Sequence, residues 1–205
     1  RTLEDLAGQI PTPKWQFDID ADAGARGQVL FEQQCRGCHG SDNDAGTALD
    51  KVNTDGLRIH NFSLPMADGG QFDQALKAEL DAVMTAAYDY ADAAADARED
   101  PGNTTIRAPQ QYANRSLDGV WATAPYLHNG SVASLADLLE PASHRTSPVT
   151  VGGRVYDTDR VGYTAAPGAF SRDGGAQGDS MGGHEYGTDA GAEDKKALLE
   201  YLKSL

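Results

Sequence analysis

The run Cys35-Arg36-Gly37-Cys38-His39 constrains this chain more than any other feature. Two thiols three positions apart at a helix end can each form a thioether with one vinyl group of a haem, and the next residue then lies under the iron. Cys-x-x-Cys-His is for this reason the attachment signature of c-type haem. On this reading Cys35 and Cys38 bind the porphyrin and His39 is one axial ligand of its iron. The competing chemistries of a Cys-x-x-Cys pair fail on context. A zinc ribbon needs a second pair of Cys or His at ligand spacing, but these are the chain's two cysteines and its five histidines are scattered. A thioredoxin-like redox pair sits in a βαβ pattern, whereas Ala25–Gln34 reads as a helix running into the motif. One covalent haem c is the expected cofactor.

Charge and length narrow the partners. A formal net charge of −14 over 205 residues, carried mostly by Asp among Ala and Gly, argues against nucleic-acid binding and suits either a solvated acidic surface or a basic redox partner. No apolar run reaches the roughly 18 residues that a membrane helix needs, and the opening Arg1-Thr-Leu-Glu lacks a signal core, so the sequence reads as a mature or excised form. With both cysteines committed to haem, no disulfide is left to staple loops.

Periodicity and punctuation suggest an arm at 1–22, with a helical piece from Leu3 to Ile10 and an extended Lys14–Ile19 anchored by Trp15 and Phe17. One haem domain is expected over 23–205. Gly27 and Phe31 share a helix face, and Gly27 lets another helix approach. Leu198, Tyr201, Leu202 and Leu205 make Glu193–Leu205 amphipathic, so the two end helices are expected to cross. Phe72–Ala97 shows helical spacing through Leu76, Leu80, Val83 and Met84. Ser131 is read as the N-cap of a helix ending near Glu140. Residues 141–187 form a loop-rich insert with a hairpin in Val149–Tyr156, turned by Gly152-Gly153.

The second axial position decides the function. Filled by a protein ligand, it favours electron transfer; left open, it permits peroxide or oxygen chemistry. Met84, on the inner stripe of a long helix, reads as packing, and His144 as an exposed loop histidine. His60 and Met66, in the loop after the motif, are within reach of a haem face. His184, in Met181-Gly-Gly-His-Glu-Tyr-Gly187 just before the final helix, is the first choice. Small c-type cytochromes usually place their distal ligand there, and paired glycines let the backbone come close to a planar ring. Met181, Met66, His60 and an open site stand as the alternatives.

The segment Tyr112–Ser131, with Gly183–Thr188 and the Glu193–Leu205 helix, resembles the C-terminal haem domain of bacterial dihaem cytochromes. These include the dihaem rubber oxygenases and, more remotely, the dihaem cytochrome c peroxidases. The resemblance implies a mainly α, cytochrome c-like haem domain with long irregular loops and a small β-hairpin insert. It also implies an electron-transferring haem. In the oxygenase-like branch the ligation is bis-histidine, which maps onto His184; the peroxidase branch uses a methionine in that late region, which maps onto Met181. The chain departs from the pattern in having a single Cys-x-x-Cys-His, and in Ala113, Asn114 and Ser116, where relatives tend to carry Lys, Ala and Pro. His128 is read either as a hydrogen-bond partner of a haem propionate or a place on the electron path, or as a loop-holding histidine. Arg115 is read as a propionate's counter-charge or as a surface ion pair, and Trp121 and Tyr126 as walls of the haem pocket.

These readings converge on a c-type cytochrome that passes single electrons through a six-coordinate haem, with no substrate transformed. A haem peroxidase or oxygenase, or the electron-relay domain of one, is the alternative. Covalent haem attachment is a feature of c-type cytochromes outside the cytoplasm, so a periplasmic or extracellular home is expected. The chain can also be part of a larger multihaem protein.

Overall fold

The helix leading into the cysteine motif begins where Asp20 turns its carboxylate onto the Ala23 amide, 3.0 Å away, satisfying one of the donors that a helix start leaves open. In the computed structural model, which describes residues 10–40, 46–62, 70–90, 110–165 and 170–205, this helix, α1, spans Ala21–Gln34 and is followed by the single turn α2 (Arg36–His39). Cys35 is the joint. Its amide still donates to Phe31 at 2.8 Å, and its carbonyl accepts from Cys38 at 3.1 Å and His39 at 3.0 Å, so both thiols and the imidazole ride on one continuous helical path.

The chain divides into two compact units, one of Arg1–Asp55 with Tyr112–Leu205 and one of Gly56–Gln111. The first continues with β1 (Gly46–Ala48) and the one-turn helix α3 (Leu49–Val52), and the second holds α4 (Leu57–Phe62) and α5 (Phe72–Tyr90). Strand β2 (Gln111–Ala113) straddles the return. The first unit then adds α6 (Leu135–Leu138), β3 (Val149–Val151), β4 (Tyr156–Asp157), β5 (Gly162–Tyr163), β6 (Phe170–Arg172) and α7 (Ala192–Lys203). Helices dominate, and the strands are short stitches between loops. No helix among the described residues is long and apolar enough to cross a membrane.

The core of the first unit is built on the crossing of α1 and α7. A Cβ at Gly27 would fall 1.9 Å from the Ala197 carbonyl oxygen, so the approach depends on glycine, as its place on the Phe31 face suggests. Phe31 packs its ring 5.2 Å from that of Tyr201. Around them Leu198, Leu202, Leu135, Val149 and Val161 are buried in one cluster. The arm lies over this core through Trp15, whose ring meets Trp121 edge-on at 5.3 Å and Tyr156 at 5.9 Å, with the Lys203 ammonium 5.4 Å above it. Phe17 is not a second anchor. It is 58% exposed and only edges Trp15, because Trp15 already fills the space between Trp121 and Tyr156. The Leu3–Gln9 part of the arm's expected helix lies outside the described residues.

Three further expectations change. The hairpin across Gly152-Gly153 does not form: β3 pairs antiparallel with β6, Val149 opposite Arg172, and β4 with β5, Tyr156 opposite Tyr163. Asp157 explains this. Its Oδ1 accepts from the Asp159 and Arg160 amides at 2.9 Å each, closing a local turn that returns the chain onto β5. The N-cap of α6 is Ser134, whose Oγ accepts from the Asp137 amide at 3.0 Å, not Ser131. The chain at Val132 is committed to a bridge with Tyr126, with Tyr126 N donating to Val132 O at 2.7 Å. On α5, Val83 is 62% exposed, and Phe72 and Leu80 are exposed too. Periodicity reports that a segment is helical; it does not report which side another element covers. The part of that helix expected beyond Tyr90 lies outside the described residues.

Candidate haem-binding site

His39 is half-buried on α2, and its Nδ1 lies 2.8 Å from the Arg115 carbonyl oxygen. A carbonyl can only accept, so this bond makes Nδ1 the protonated nitrogen and leaves the Nε2 lone pair for a metal, which is how ligating histidines are usually oriented. Cys35 is half-buried and Cys38 exposed. Burial, and then the neighbouring Cys38, pushes the Cys35 thiol up. A redox-active Cys-x-x-Cys pair needs the opposite shift, toward thiolate.

His184 is held by backbone. Gly183 and His184 both lie in the left-handed region, with φ of 81° and 49°, a conformation that costs a non-glycine residue energy. A Cβ at Gly183 would fall 2.3 Å from Asn53 C and Thr54 N, so this glycine seats the turn on the end of α3; the neighbour it approaches is a peptide group. The His184 amide then donates to the Val52 carbonyl at 2.7 Å. Tyr186 stands edge-on to the imidazole at 5.3 Å, its hydroxyl donating to Lys51 O at 3.3 Å. Burial, and secondarily the proximity of His39, lowers the His184 pKa to about 4, keeping the ring neutral at physiological pH, as a metal ligand must be.

The two rings face one another with centroids 6.1 Å apart and planes inclined by 51°. Metal–nitrogen bonds of about 2 Å on each side, added to the half-widths of two imidazoles, give about the same centroid spacing for two trans ligands. His184 Nδ1 is buried with no hydrogen-bond partner among the described residues. A pair of imidazoles at this separation, beside two thiols on the same helical path as one of them, is a donor set that fits haem c.

The other sequence candidates fall in several places. Met181 is buried in the core cluster, its side chain occupying the space a Cβ on Gly174 would need. His60 is exposed on α4 and Met84 half-buried on α5, both in the Gly56–Gln111 unit; Met66 lies outside the described residues. His144 is exposed. His128 stacks on Tyr112 with ring centroids 4.2 Å apart. The Arg115 side chain is exposed, and the part of it that touches His39 is the carbonyl. Trp121 has its indole Nε1 buried with no partner among the described residues. Tyr126 is in the core, its hydroxyl donating to Val120 O at 3.2 Å or Val161 O at 3.3 Å.

Residues 111–148 match the family model of RoxA-like, cytochrome c-like domains. This segment of the chain is similar to part of a cytochrome c-like domain. Haem c is the cofactor such a domain implies. Two curated proteins of Sinorhizobium fredii (strain NBRC 101917 / NGR234) are similar to the chain, both described as uncharacterized. Protein y4iJ is 30% identical over 263 residues, covering 98% of this chain and 44% of its own length. Protein y4iM is 33% identical over 162 residues, covering 77% of this chain and 37% of its own length. The chain thus spans less than half the length of these relatives.

The matched segment lies outside the cysteine motif, yet its residues brace both imidazoles. Arg115 supplies the carbonyl to His39. Asn129 Nδ2 donates to Gly178 O and Ser180 O at 3.2 and 2.9 Å, and Ser131 Oγ donates to Ser180 O at 3.0 Å, tying down the approach to His184. Arg145 is buried and bonded to the His184 turn itself. The sequence reading missed Asn129, Ser131 and Arg145 in these roles. They sit in loops without periodicity, and their partners are carbonyl groups that leave no mark in side-chain composition.

Proposed function

We propose that the chain is a c-type cytochrome domain that passes single electrons through one haem, joined to Cys35 and Cys38 and ligated by His39 and His184. The observation that carries this reading is the 6.1 Å facing arrangement of the two imidazoles, each fixed by contacts independent of the other. The bound haem would supply a one-electron iron couple. The protein's part is to present two ring nitrogens at fixed separation, so that little rearranges between oxidation states, with Tyr186 and the Val52–Thr54 backbone packed against the His184 turn. Arg115 O fixes the tautomer of His39, and burial keeps His184 unprotonated. Two imidazoles favour a lower reduction potential than a His/Met pair.

The acidic surface, with a net charge of −14, suits a basic redox partner whose association slows as salt rises. A periplasmic or extracellular location goes with covalent haem attachment. Because the relatives are longer than this chain, the domain fits an electron-relay role within a larger protein.

The test is the spectrum of the purified chain made with a working haem-ligation system. Low-spin ferric and ferrous spectra without the near-infrared band of sulfur ligation are expected. A colourless protein would overturn the reading. The near-infrared band would transfer the ligand role to a methionine, and a high-spin ferric spectrum with rapid reaction toward peroxide would make the chain a peroxidase- or oxygenase-type enzyme.

A further inference from the structure

Arg145 is 5% exposed and makes no ion pair among the described residues, a costly state for a cation unless its donors are all satisfied. They are satisfied by backbone. Its Nε donates to Glu140 O at 3.0 Å, and its Nη2 to Leu138 O at 3.4 Å. On the other side, Nη1 donates to Met181 O and to Gly183 O, the latter at 2.9 Å, while Nη2 also reaches His184 O at 3.3 Å. One planar group thereby joins the end of α6 to three carbonyls of the turn that carries His184. That turn has two consecutive residues in the left-handed region, and such a conformation persists only where the surroundings over-determine it.

Taking His184 as the axial ligand, we infer that Arg145 is its positioning residue: the guanidinium fork fixes the Met181–His184 carbonyls and so holds the imidazole opposite His39. The role calls for the fork's geometry and its five N–H donors. Lysine keeps the charge but brings three donors on a point-like head that cannot span both sides.

The experiment compares the haem-loaded full chain with R145K, R145Q and H184A. It reads the ferric spin state, CO binding to the dithionite-reduced protein, the response to added imidazole, and far-UV circular dichroism. R145K and R145Q are both expected to become partly high-spin with unchanged helical dichroism and to return to low-spin with free imidazole. Their CO binding should be about tenfold faster than the unaltered chain's, as the population with His184 displaced grows in that proportion. Low-spin R145K and R145Q with unchanged CO binding overturn the inference. So does loss of helical dichroism in both, which would make Arg145 a determinant of the whole fold. H184A separates the two levels of the argument. If it stays low-spin, the ligand reading fails and takes this inference with it; if it turns high-spin beside an unaltered R145K, only the role of Arg145 fails.

Discussion

The two imidazoles of the site are held in different ways. His39 is placed mainly by its neighbours in sequence, three residues of helical path from Cys35, and takes a single remote contact, the hydrogen bond to Arg115 O that sets its ring. His184 depends on parts of the chain remote from it: the Val52 carbonyl, the seat for Gly183 on Asn53 and Thr54, and the Arg145 fork. A ligand carried by local spacing is in place once its helix forms, and here needs only the Arg115 bond to set its ring. One fixed by long-range contacts forms only when the tertiary structure is complete, so the distal side is the place where the site gives way first.

The largest test of this contrast is to remove each side in turn. H39A, or C35S together with C38S, should abolish accumulation of haem protein, seen as loss of colour in the purified fraction. H184A should keep the haem and open one axial position, seen as a high-spin ferric spectrum and CO binding on reduction. Equal loss of haem from both would erase the asymmetry.

Next in size are two glycines. G27A forces a Cβ to within 1.9 Å of Ala197 O, and G183A to within 2.3 Å of the Asn53–Thr54 peptide, so each should lower stability by about 1–3 kcal/mol through overpacking. Only G183A, which also places a side chain at a φ of 81°, should change the spin state; G27A should lower the denaturation midpoint with the spectrum intact. Chemical denaturation followed at the absorption bands and in the far ultraviolet distinguishes them.

Acid gives a gentler probe. The His184 pKa is lowered to about 4 by burial and then by His39, from an ordinary value of 6.5. The folded form therefore binds the proton less readily than the unfolded one. Its stabilising share is fully present above pH 6.5 and is lost as pH falls from 6.5 toward 4. Acid unfolding of the haem-free chain, followed by far-ultraviolet circular dichroism, should show stability falling in this window, and a haem-free chain equally stable at pH 7 and pH 4 would contradict it.

The smallest effect is at Asp137. Burial alone would raise this carboxyl, but hydrogen bonds from Ser134, Thr146 and Arg160 outweigh it and hold the pKa below its ordinary 3.8. Its contribution is present above pH 3.8 and fades as pH falls through the lower folded value. D137N should cost about 1–2 kcal/mol, the scale of hydrogen bonds to a buried charge. Because Asp137 braces Thr146, next to Arg145, the loss should also make CO binding slightly faster while leaving haem content unchanged.

How much of this could be read beforehand follows the same division. Cys35, Cys38, His39, the Gly27 contact and the amphipathic α7 are written in spacing and periodicity, which local geometry enforces. The approach of His184 to His39 was inferable from its position before the last helix, but its support was not, since Arg145 and Asn129 donate to backbone carbonyls and Val52 acts through its own, a group every residue carries. The hairpin reading failed for a related reason. Gly152-Gly153 permits a turn, but Asp157 closes another with its own side chain and leaves β3 to pair with distant β6.

The backbone-to-backbone lock at Gly27 has a consequence for how such a chain can change. Helices from opposite stretches of the sequence are pinned there, and the exposed loops between them hang from that pin and from the core packed on it. Lengthening a hung loop adds closure entropy only logarithmically, so whole modules can be spliced between the pinned helices at small cost, provided the glycine that allows the pin is kept.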